Sequence, residues 1–540
     1  MSVGESDRRA RSVLLICPQF PYSFWTFNES LRLQGVKNAN PPLGLLTVAA
    51  LLPQSWTLRL VDEGVRKVTR ADWDFCDTVM LTAMIVQRDE AMALIREAKQ
   101  RGKTVVIGGP HASSEPDIML GAGADIVVRG EAETAMAPLL EALEQGRVGI
   151  IVEETHKPDL TDSPIPRWDL IDVWDYSMMS VQTSRGCPFD CEFCDIVNLF
   201  GRKPRYKSPE QFLAELETLY QTGYRGSVFI SDDNFIGDKT KTQALLNALI
   251  PWMESHGKPF GFFCQASVNL GQEPELVDLM TEACIGDVFI GIETPDEESL
   301  RITNKVQNLR HPLSENVDYL IRNGLSVLGS FIIGLEGEKP GAAQRLCAFI
   351  ENADMPITML NLLAALPNTR LHQRLKEEGR LKSDVNIIDT QFGHMNHIPD
   401  RPEGEIVAEY FYAIDYLYEQ SRLMARAYRN LMKLRPTRAA QASARGEKQP
   451  PSQVPRALPP FKRRRQDLRT ALMIIWRHGI VAGYRTQFWR QLFSVWRKNP
   501  SRLRRYFIFL GYAESLYDFR KKAKNWERDY SRGHRDQHPG

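Results

Sequence analysis

Three cysteines in "TSRGCPFDCEFCDI", the stretch 183–196, have the spacing that most clearly indicates chemistry. Cys187, Cys191 and Cys194 form CxxxCxxC in a chain with eight cysteines, a pattern expected by chance on the order of 0.002 times. Zinc is one candidate, but structural zinc sites are closed by four ligands and no fourth Cys or His lies nearby. A 4Fe-4S cluster held by three thiolates is the other, since it leaves one iron open for a substrate or cofactor.

The composition predicts that these thiols stay reduced. The chain is 43% hydrophobic and 25% charged, and no apolar run reaches the roughly 18 to 20 residues that span a bilayer. The start "MSVGESDRRARSVLLICP" fits a first strand better than a signal peptide. We therefore expect a cytoplasmic protein, in which a cysteine cluster indicates a metal or redox-cofactor site rather than disulfides.

Residues 12–145 alternate short β-branched runs with helical stretches, the pattern of an α/β domain with helices on both faces of a parallel sheet. We predict a doubly wound, Rossmann-like domain over residues 1–150, with a ligand crevice at the carboxyl ends of its strands. The predicted strands are "SVLLICP", "TLRLVDE", "TVMLTAM", "TVVIGGP" and "ADIVVRGE".

A second series of βα units follows a linker at 151–178. Six units over residues 179–400 predict a partial (β/α) TIM-type barrel, whose chemistry would lie at the carboxyl ends of its strands. One intervening helix has its own signals: Ser208 as the cap, Pro209 in the first turn and Gly223 at the end. The predicted strands are "SVQTSRG", "SVFISDDNF", "FGFFCQAS", "DVFIGIET", "LSVLGSFIIG" and "ITMLNLLAALP".

The last segment, 401–540, is predicted to be mostly α-helical, with a flexible linker near 435–460. Its basic end carries 20 Lys/Arg and 6 Asp/Glu over residues 461–540, a local charge of +14 in a chain of net charge +1. Aromatic residues among these arginines suggest a helix at a membrane interface or, equally, an amphipathic cap packed on the barrel. Nucleic acid is disfavoured, because no nucleic-acid module surrounds "KRRR".

The motif "CPFDCEFC" at the top of the first barrel strand resembles the signature of the radical S-adenosylmethionine (SAM) enzymes. The resemblance implies that SAM binds the open iron through its amino and carboxylate groups and that its cleavage yields a 5′-deoxyadenosyl radical. It also implies that "SDDNF", "GIET" and "CQASVNL" contact SAM. The SAM-binding residues implied in this way are Phe193, Asp232, Asp233, Asn234, Ser267, Asn269 and Glu293.

A doubly wound domain ahead of such a barrel is similar to the cobalamin-binding group of this family. The resemblance implies a crevice lined by Thr82, Gly108, Gly109, Pro110 and His111. The DxHxxG motif that supplies a histidine ligand to cobalt in many cobalamin proteins is absent. We therefore expect cobalamin, as methylcobalamin, without a histidine ligand, and a polar contact from His111.

Within that group the chain resembles the hopanoid 2-methylases, which have a helical C-terminal extension. This implies a C-methyltransferase acting on an unactivated carbon of a hydrophobic, lipid- or triterpenoid-like molecule, with a flavodoxin or ferredoxin as reductant. A cyclase or rearrangement enzyme without net methylation stays open, as does an iron-sulfur sensor. Peripheral contact with the inner membrane surface through the basic end is a further expectation.

Overall fold

The computed structural model describes residues 10–382, 385–446 and 458–537. Residue contacts divide the chain into two units, each assembled from non-contiguous segments. The first contains residues 36–187 and 195–224 with the N-terminal strand, and the second contains residues 23–35, 188–194 and 225 onward. The domain limits drawn from the sequence alone remain predictions.

The first unit is organised by a six-stranded parallel sheet. All five strands predicted for it are present, and a sixth, missed in the sequence, adds an edge after the last predicted helix. The strands are β1 (Ser12–Cys17), β2 (Thr57–Asp62), β3 (Thr78–Thr82), β4 (Thr104–Gly108), β5 (Ile126–Arg129) and β6 (Ile150–Glu153). Their order is β2-β1-β3-β4-β5-β6, so the chain reverses direction of winding between β1 and β3, where open α/β sheets bind ligands.

The central strands β1, β3 and β4 are almost wholly buried, which explains their almost unbroken apolar sequences. Leu14, Val79, Val105 and Val127 have no exposed surface and form one core with Ile95 of a covering helix. The doubly wound α/β prediction is confirmed.

A second six-stranded parallel sheet has the strand order β14-β13-β12-β11-β10-β7. Its members are β7 (Met179–Val181), β10 (Ser227–Ile230), β11 (Gly261–Gln265), β12 (Ile285–Glu293), β13 (Ser326–Ile333) and β14 (Ile357–Leu362). A small antiparallel pair, β8 (Ser184–Arg185) with β9 (Arg205–Tyr206), precedes β10. The open, sequential order is that of a partial (β/α) barrel, as predicted.

Helices alternate with the strands in both units. The first ten are α1 (Asn28–Gln34), α2 (Leu43–Leu51), α3 (Arg70–Phe75), α4 (Arg88–Gln100), α5 (Pro110–Ser114), α6 (Pro116–Gly121), α7 (Ala132–Glu144), α8 (Ile196–Phe200), α9 (Pro209–Gln221) and α10 (Lys239–Ser255). The next five are α11 (Pro274–Glu282), α12 (Glu297–Ile302), α13 (Leu313–Arg322), α14 (Ala342–Asn352) and α15 (Arg370–Glu377). The predicted cap is present, because the Ser208 hydroxyl accepts a hydrogen bond from the Gln211 N–H at the start of α9.

The C-terminal segment is helical throughout the residues described. Its helices are α16 (Glu403–Leu417), α17 (Gln420–Lys433), α18 (Arg438–Ala444), α19 (Phe461–Trp476), α20 (Arg485–Lys498) and α21 (Leu503–Gln537). Helix α18 lies inside the stretch predicted as a flexible linker, while residues 447–457 of that stretch lie outside the described residues. No helix in the described ranges is long and apolar enough to cross a membrane.

Candidate functional site

The approach to the cysteine loop is fixed by backbone geometry within the first unit. Gly186 has φ +99°, and a Cβ there would lie 3.0 Å from the carbonyl oxygen of Gly201. The next N–H, that of Cys187, donates to the same carbonyl. Only glycine combines this left-handed conformation with so close a backbone approach. Gly186 therefore sets the point from which the cysteine loop departs.

The strand before this glycine is held by buried ion pairs. Arg185 contacts Glu131 at 2.8 Å and Glu133 at 2.9 Å. Arg205, on the paired strand β9, contacts Glu131 at 2.7 Å. Bidentate guanidinium–carboxylate contacts are geometrically specific, so the β8–β9 hairpin is anchored to the start of α7.

Cys191 and Cys194 lie in the second unit beside a hydrogen-bond donor and a buried cation. The side-chain amide of Gln307 donates to the Cys191 sulfur at 3.5 Å. Lys305 contacts Glu293 at 2.6 Å, and its ammonium lies 5.7 Å from the centre of the Phe193 ring. Burial opposes the charge on Lys305, but Glu293, Cys191 and Cys194 outweigh it and raise the pKa of the ammonium above its usual range.

Glu293 is aimed by an irregularity at the carboxyl end of β12. The register with β13 shifts between Gly291 and Glu293, and Glu293 has φ +64°, which is rare for a residue with a side chain. Bulges of this kind redirect side chains beside functional sites. The carboxylate is only 5% exposed, so its ion pair with Lys305 is what makes its burial tolerable.

Contacts within the second unit also hold the middle of the cysteine loop. Arg374 binds the Glu192 carboxylate through two nitrogens, at 2.7 and 3.1 Å. The Asn304 amide donates to the Asp190 carbonyl at 2.7 Å, and Leu371 donates to the Glu192 carbonyl at 3.0 Å. Asn304, Leu371 and Arg374 thereby hold the backbone on both sides of Cys191.

Of the residues implied for SAM binding after β10 and β11, Asn234 and Ser267 contact each other. Asn234 is buried, and its amide nitrogen donates to the Ser267 hydroxyl at 3.1 Å while its oxygen accepts from the Ser267 N–H at 3.2 Å. Asp232 is fully buried and Asp233 is half-buried. The side-chain amide oxygen of Asn269 is buried without a hydrogen-bond partner. It is therefore available to accept a hydrogen bond from a ligand.

The donor set of the loop fits an iron-sulfur cluster. All three cysteines are half-buried thiols outside any disulfide, and two of them lie near an amide donor and an ammonium that offset thiolate charge. Across the described ranges, no group of three or more His, Cys, Asp or Glu side chains could hold a single metal ion. A 4Fe-4S cluster does not require the thiolates to converge on one ion, because each binds a different iron.

In the first unit, the residues implied for cobalamin follow β3 and β4. Gly109 has φ +91°, and a Cβ there would lie 2.4 Å from the Thr82 hydroxyl. Gly108 ends β4, Pro110 begins α5, and the N–H of His111 donates to the Ala83 carbonyl. Thr82, Gly108, Gly109 and Pro110 thus lie where the ends of β3 and β4 approach each other closely, and His111 follows directly in the chain.

His111 is a buried group without a hydrogen-bond partner. It is 1% exposed, and neither ring nitrogen makes a hydrogen bond; the Glu115 carboxylate lies 3.5 Å from Nδ1. Burial, helped by the charge of Arg88, lowers the pKa of His111 to about 4. The imidazole is therefore neutral at physiological pH and can both donate and accept, which fits a polar contact to a ligand.

Several residues of the site were not identified from the sequence. Lys305 and Gln307 lie in the polar run "TNKVQN", which looks like a solvated loop because nothing in its spacing indicates burial. The only sequence feature that could have identified them is that they follow the carboxyl end of a predicted strand.

Comparisons with known proteins agree with this geometry. Three family models match: B12 binding domain over residues 31–140, Radical SAM superfamily over 181–350 and a domain of unknown function over 369–528. A Synechocystis protein named as an uncharacterized methyltransferase is 45% identical over 94% of this chain and 92% of its own. The hopanoid C-2 methylase of Rhodopseudomonas palustris is 34% identical over 98% of this chain and 96% of its own.

Among solved structures, the cobalamin-dependent SAM radical enzyme OxsB with aqua-cobalamin bound has the same fold. The TM-score is 0.58 at 14% identity, over 97% of this chain and 81% of that one. The cofactors expected from the resemblance, a 4Fe-4S cluster, SAM and cobalamin, are those of the matched domains. The chain therefore belongs to the cobalamin-dependent radical SAM methyltransferases, in the family that includes the hopanoid C-2 methylase.

Proposed function

We propose that this protein transfers a methyl group to an unactivated carbon of a hydrophobic, lipid- or triterpenoid-like substrate. The observation that carries the proposal is full-length similarity to the hopanoid C-2 methylase, joined to a barrel end that presents Glu293, Lys305 and the cysteine loop together. When bound, the cluster supplies reductive cleavage of SAM and the cobalamin supplies the methyl group.

The proposed ligands of the cluster are Cys187, Cys191 and Cys194. The Glu293 carboxylate, fixed by Lys305, is positioned to accept a hydrogen bond from a ribose hydroxyl or an ammonium group. The Asn234–Ser267 pair fixes the adjoining strand ends, and Phe193 offers an aromatic face. Asp232, Asp233 and Asn269 complete the proposed SAM contacts.

In the first unit, Thr82, Gly108, Gly109 and Pro110 are proposed to line the cobalamin crevice. His111 is proposed to contact the cofactor by a hydrogen bond rather than to ligate cobalt. Its low pKa means that it offers a neutral ring to that contact at any physiological pH. The electrons would come from a small redox protein of the flavodoxin or ferredoxin class.

A lipid substrate also has a consequence for where the enzyme acts in the cell. A lipid substrate is reached most directly at a membrane surface, so we place the enzyme in the cytoplasm, in peripheral contact with the inner membrane. The basic C-terminal region, with its charge of +14 over residues 461–540, is the part of the chain suited to that contact.

A labelling experiment tests the function. The reconstituted, reduced protein is incubated anaerobically with methyl-deuterated SAM and the lipid extract of cells that lack the gene. We expect one lipid species to gain a methyl group carrying all three deuterium atoms, and the Cys191→Ala variant to give none. A modified lipid without the label would mean that the reaction is a cyclisation or rearrangement rather than a methylation. The absence of any modified lipid would reject the proposed lipid substrate.

A further inference from the structure

Helices α19 and α20 expose a continuous row of large apolar side chains. On α19, Phe461, Leu468, Leu472 and Trp476 are 71, 61, 58 and 59% exposed. Their spacings of seven, four and four residues place them on one face of the helix. The row is about 22 Å long at 1.5 Å per residue. Scattered apolar residues are ordinary on protein surfaces, but a row of this length indicates an interaction site.

The row continues onto α20. Trp489, Phe493 and Trp496 follow at spacings of four and three residues and are 47, 58 and 59% exposed. The two rows meet, because the Trp489 indole donates to the Gly479 carbonyl at the end of α19 at 2.8 Å. Ile480 and Val481, in the turn between the helices, are 52 and 63% exposed. We call these residues of α19, α20 and their turn the aromatic face.

The opposite side of the same helices is firmly packed. On α19, Gln466 donates to the carbonyls of Gln34 and Gly35, and Thr470 donates to that of Leu33. His478, which is fully buried, contacts Glu514 of α21 at 3.0 Å. These contacts fix which side of α19 is turned inward, so the exposure of Leu472 and Trp476 is imposed by the fold.

The packing of α20 gives it the same orientation. Phe488 and Val495 are fully buried, and Gln487 donates to the Ser421 carbonyl of α17 at 2.9 Å. Ser494 is within 2.8 Å of the Tyr428 hydroxyl. One side of these helices is therefore packed against α1, α17 and α21, while the other side carries apolar groups that nothing in the described chain covers.

Charge identifies the partner of the aromatic face. Residues 461–498 contain ten Lys/Arg and one acidic residue, Asp467, a net charge of +9. Lys462, Arg464, Arg465, Arg469 and Arg490 are exposed beside the apolar row. Tryptophan with flanking arginine is the composition of helices that lie in the headgroup region of a bilayer, where anionic lipids attract the charges.

We propose that the aromatic face docks flat on an anionic phospholipid bilayer, with α19 and α20 lying in the plane of the headgroups. The inference deepens the proposed function, on which it rests for the lipid substrate. A docked acidic protein or a second copy of this chain would use the same charges. A bilayer is favoured because the apolar row extends over two helices and is accompanied by exposed arginines along its length.

The test is co-sedimentation of the reconstituted holoenzyme with vesicles. Vesicles of phosphatidylcholine alone are compared with vesicles containing about 30% phosphatidylglycerol. We expect at least tenfold stronger binding to the anionic vesicles, weakening as salt is raised. Equal binding to the two vesicle types, or binding to neither, would overturn the proposal.

Two pairs of matched variants test which residues bind. Trp476→Ser with Phe493→Ser should weaken binding at least tenfold, whereas Val148→Ser with Tyr412→Ser, which removes similarly exposed apolar groups elsewhere, should not. Arg464→Gln, Arg465→Gln and Arg469→Gln together should weaken it on the order of a hundredfold. The control with the same loss of charge is Arg147→Gln, Lys241→Gln and Lys376→Gln, all of which are exposed. Equal effects of a variant and its control would contradict the assignment.

Two further readouts separate this proposal from its rivals. If the holoenzyme were a dimer that the Trp476→Ser and Phe493→Ser changes dissociate, the face would bind a second copy and the bilayer proposal would be wrong. Release of 5′-deoxyadenosine is measured in the same preparations without vesicles. Lost vesicle binding with intact release is expected of the face variants, whereas a wild type that binds vesicles but releases none would reject the proposed function and leave the docking intact.

Discussion

The carboxyl ends of the two sheets differ in how completely their polar groups are partnered. In the second unit, Glu293 is paired with Lys305, and Glu192 with Arg374. In the first unit, His111 is as deeply buried, yet neither of its ring nitrogens has a hydrogen bond. An unsatisfied buried group costs about 1 to 3 kcal/mol. The groups beside the cysteine loop are therefore held in place by one another, whereas both ring nitrogens of His111 remain available for the ligand contact proposed for it.

Loss of a cluster ligand should have the largest effect on the second unit. The Cys191→Ala variant should contain less than half the iron and sulfide of the wild type after reconstitution, because two thiolates cannot hold the cluster. The control is Cys284→Ala, since Cys284 is also a half-buried thiol outside any disulfide, and it should retain about four irons per chain. Equal iron contents in the two variants, measured by elemental analysis, would mean that Cys191 is not a ligand of the cluster.

The ion pair beside the loop gives the next largest effect. Lys305→Met leaves Glu293 buried without its cation, which should cost about 3 to 5 kcal/mol of unfolding free energy. Lys241→Met, on exposed α10 surface, should cost less than about 0.5 kcal/mol. Chemical denaturation measures both.

A second substitution isolates the cause of that loss. Adding Glu293→Gln to Lys305→Met removes the orphaned charge, so the double variant should recover part of the stability. It should not recover SAM cleavage if the Glu293 carboxylate binds SAM. Full recovery of cleavage would show that Glu293 has only a structural role.

The buried imidazole of His111 predicts that the stability of the fold depends on pH. The pKa of His111 falls from about 6.5 in the unfolded chain to about 4 in the fold, so the unfolded state binds more protons between these values. Stability is therefore fully present above pH 6.5, is lost as pH falls towards 4, and changes by up to about 3 kcal/mol.

The His111→Gln variant tests this dependence. Its unfolding free energy should fall less steeply than that of the wild type between pH 6.5 and 4, and the two curves should run parallel above pH 6.5. Some slope should remain, because burial also lowers the pKa of His397, in the second unit, to about 4. Curves parallel over the whole range would contradict a neutral, buried His111.

The smallest expected difference between a variant and its control concerns the entry to the cysteine loop. Gly186→Ala forces a side chain against the Gly201 carbonyl at φ +99°, whereas Gly223→Ala, at φ +85°, meets nothing within 4 Å. The control should cost about 1 to 2 kcal/mol through its backbone conformation, and Gly186→Ala about 1 to 3 kcal/mol more. Thermal or chemical unfolding of each variant measures its loss of unfolding free energy. Equal losses would mean that the close approach of Gly186 to the Gly201 carbonyl does not require glycine.

Much of the fold followed from the sequence because strand signals are local. All eleven predicted strands are present, since short runs of apolar, β-branched or aromatic residues ending in turn residues occur at each position. The edge strand β6 was missed because Ile150–Glu153 is short and borders a segment that reads as a linker. Helix α18 was missed because its alanine- and glutamine-rich sequence shares the composition of flexible linkers.

The site could be predicted only where chemistry has a fixed spacing. The three cysteines are spaced along a single loop, so their pattern is visible in the sequence. Lys305 lies twelve residues beyond Glu293, and its partner becomes apparent only when the bulge at the end of β12 turns Glu293 towards it. The missing partners of His111 depend on packing from several elements, which no spacing reveals.

The cysteine loop is proposed to hold a cluster that cleaves SAM reductively. Release of 5′-deoxyadenosine by the anaerobically reconstituted wild-type protein, measured with SAM and with or without a strong reductant, tests this role of the loop. We expect release that requires the reductant and disappears in the Cys191→Ala variant. A fully loaded wild-type protein that releases no 5′-deoxyadenosine under reduction, or a Cys191→Ala variant that releases as much as the wild type, would show that the loop does not have this role.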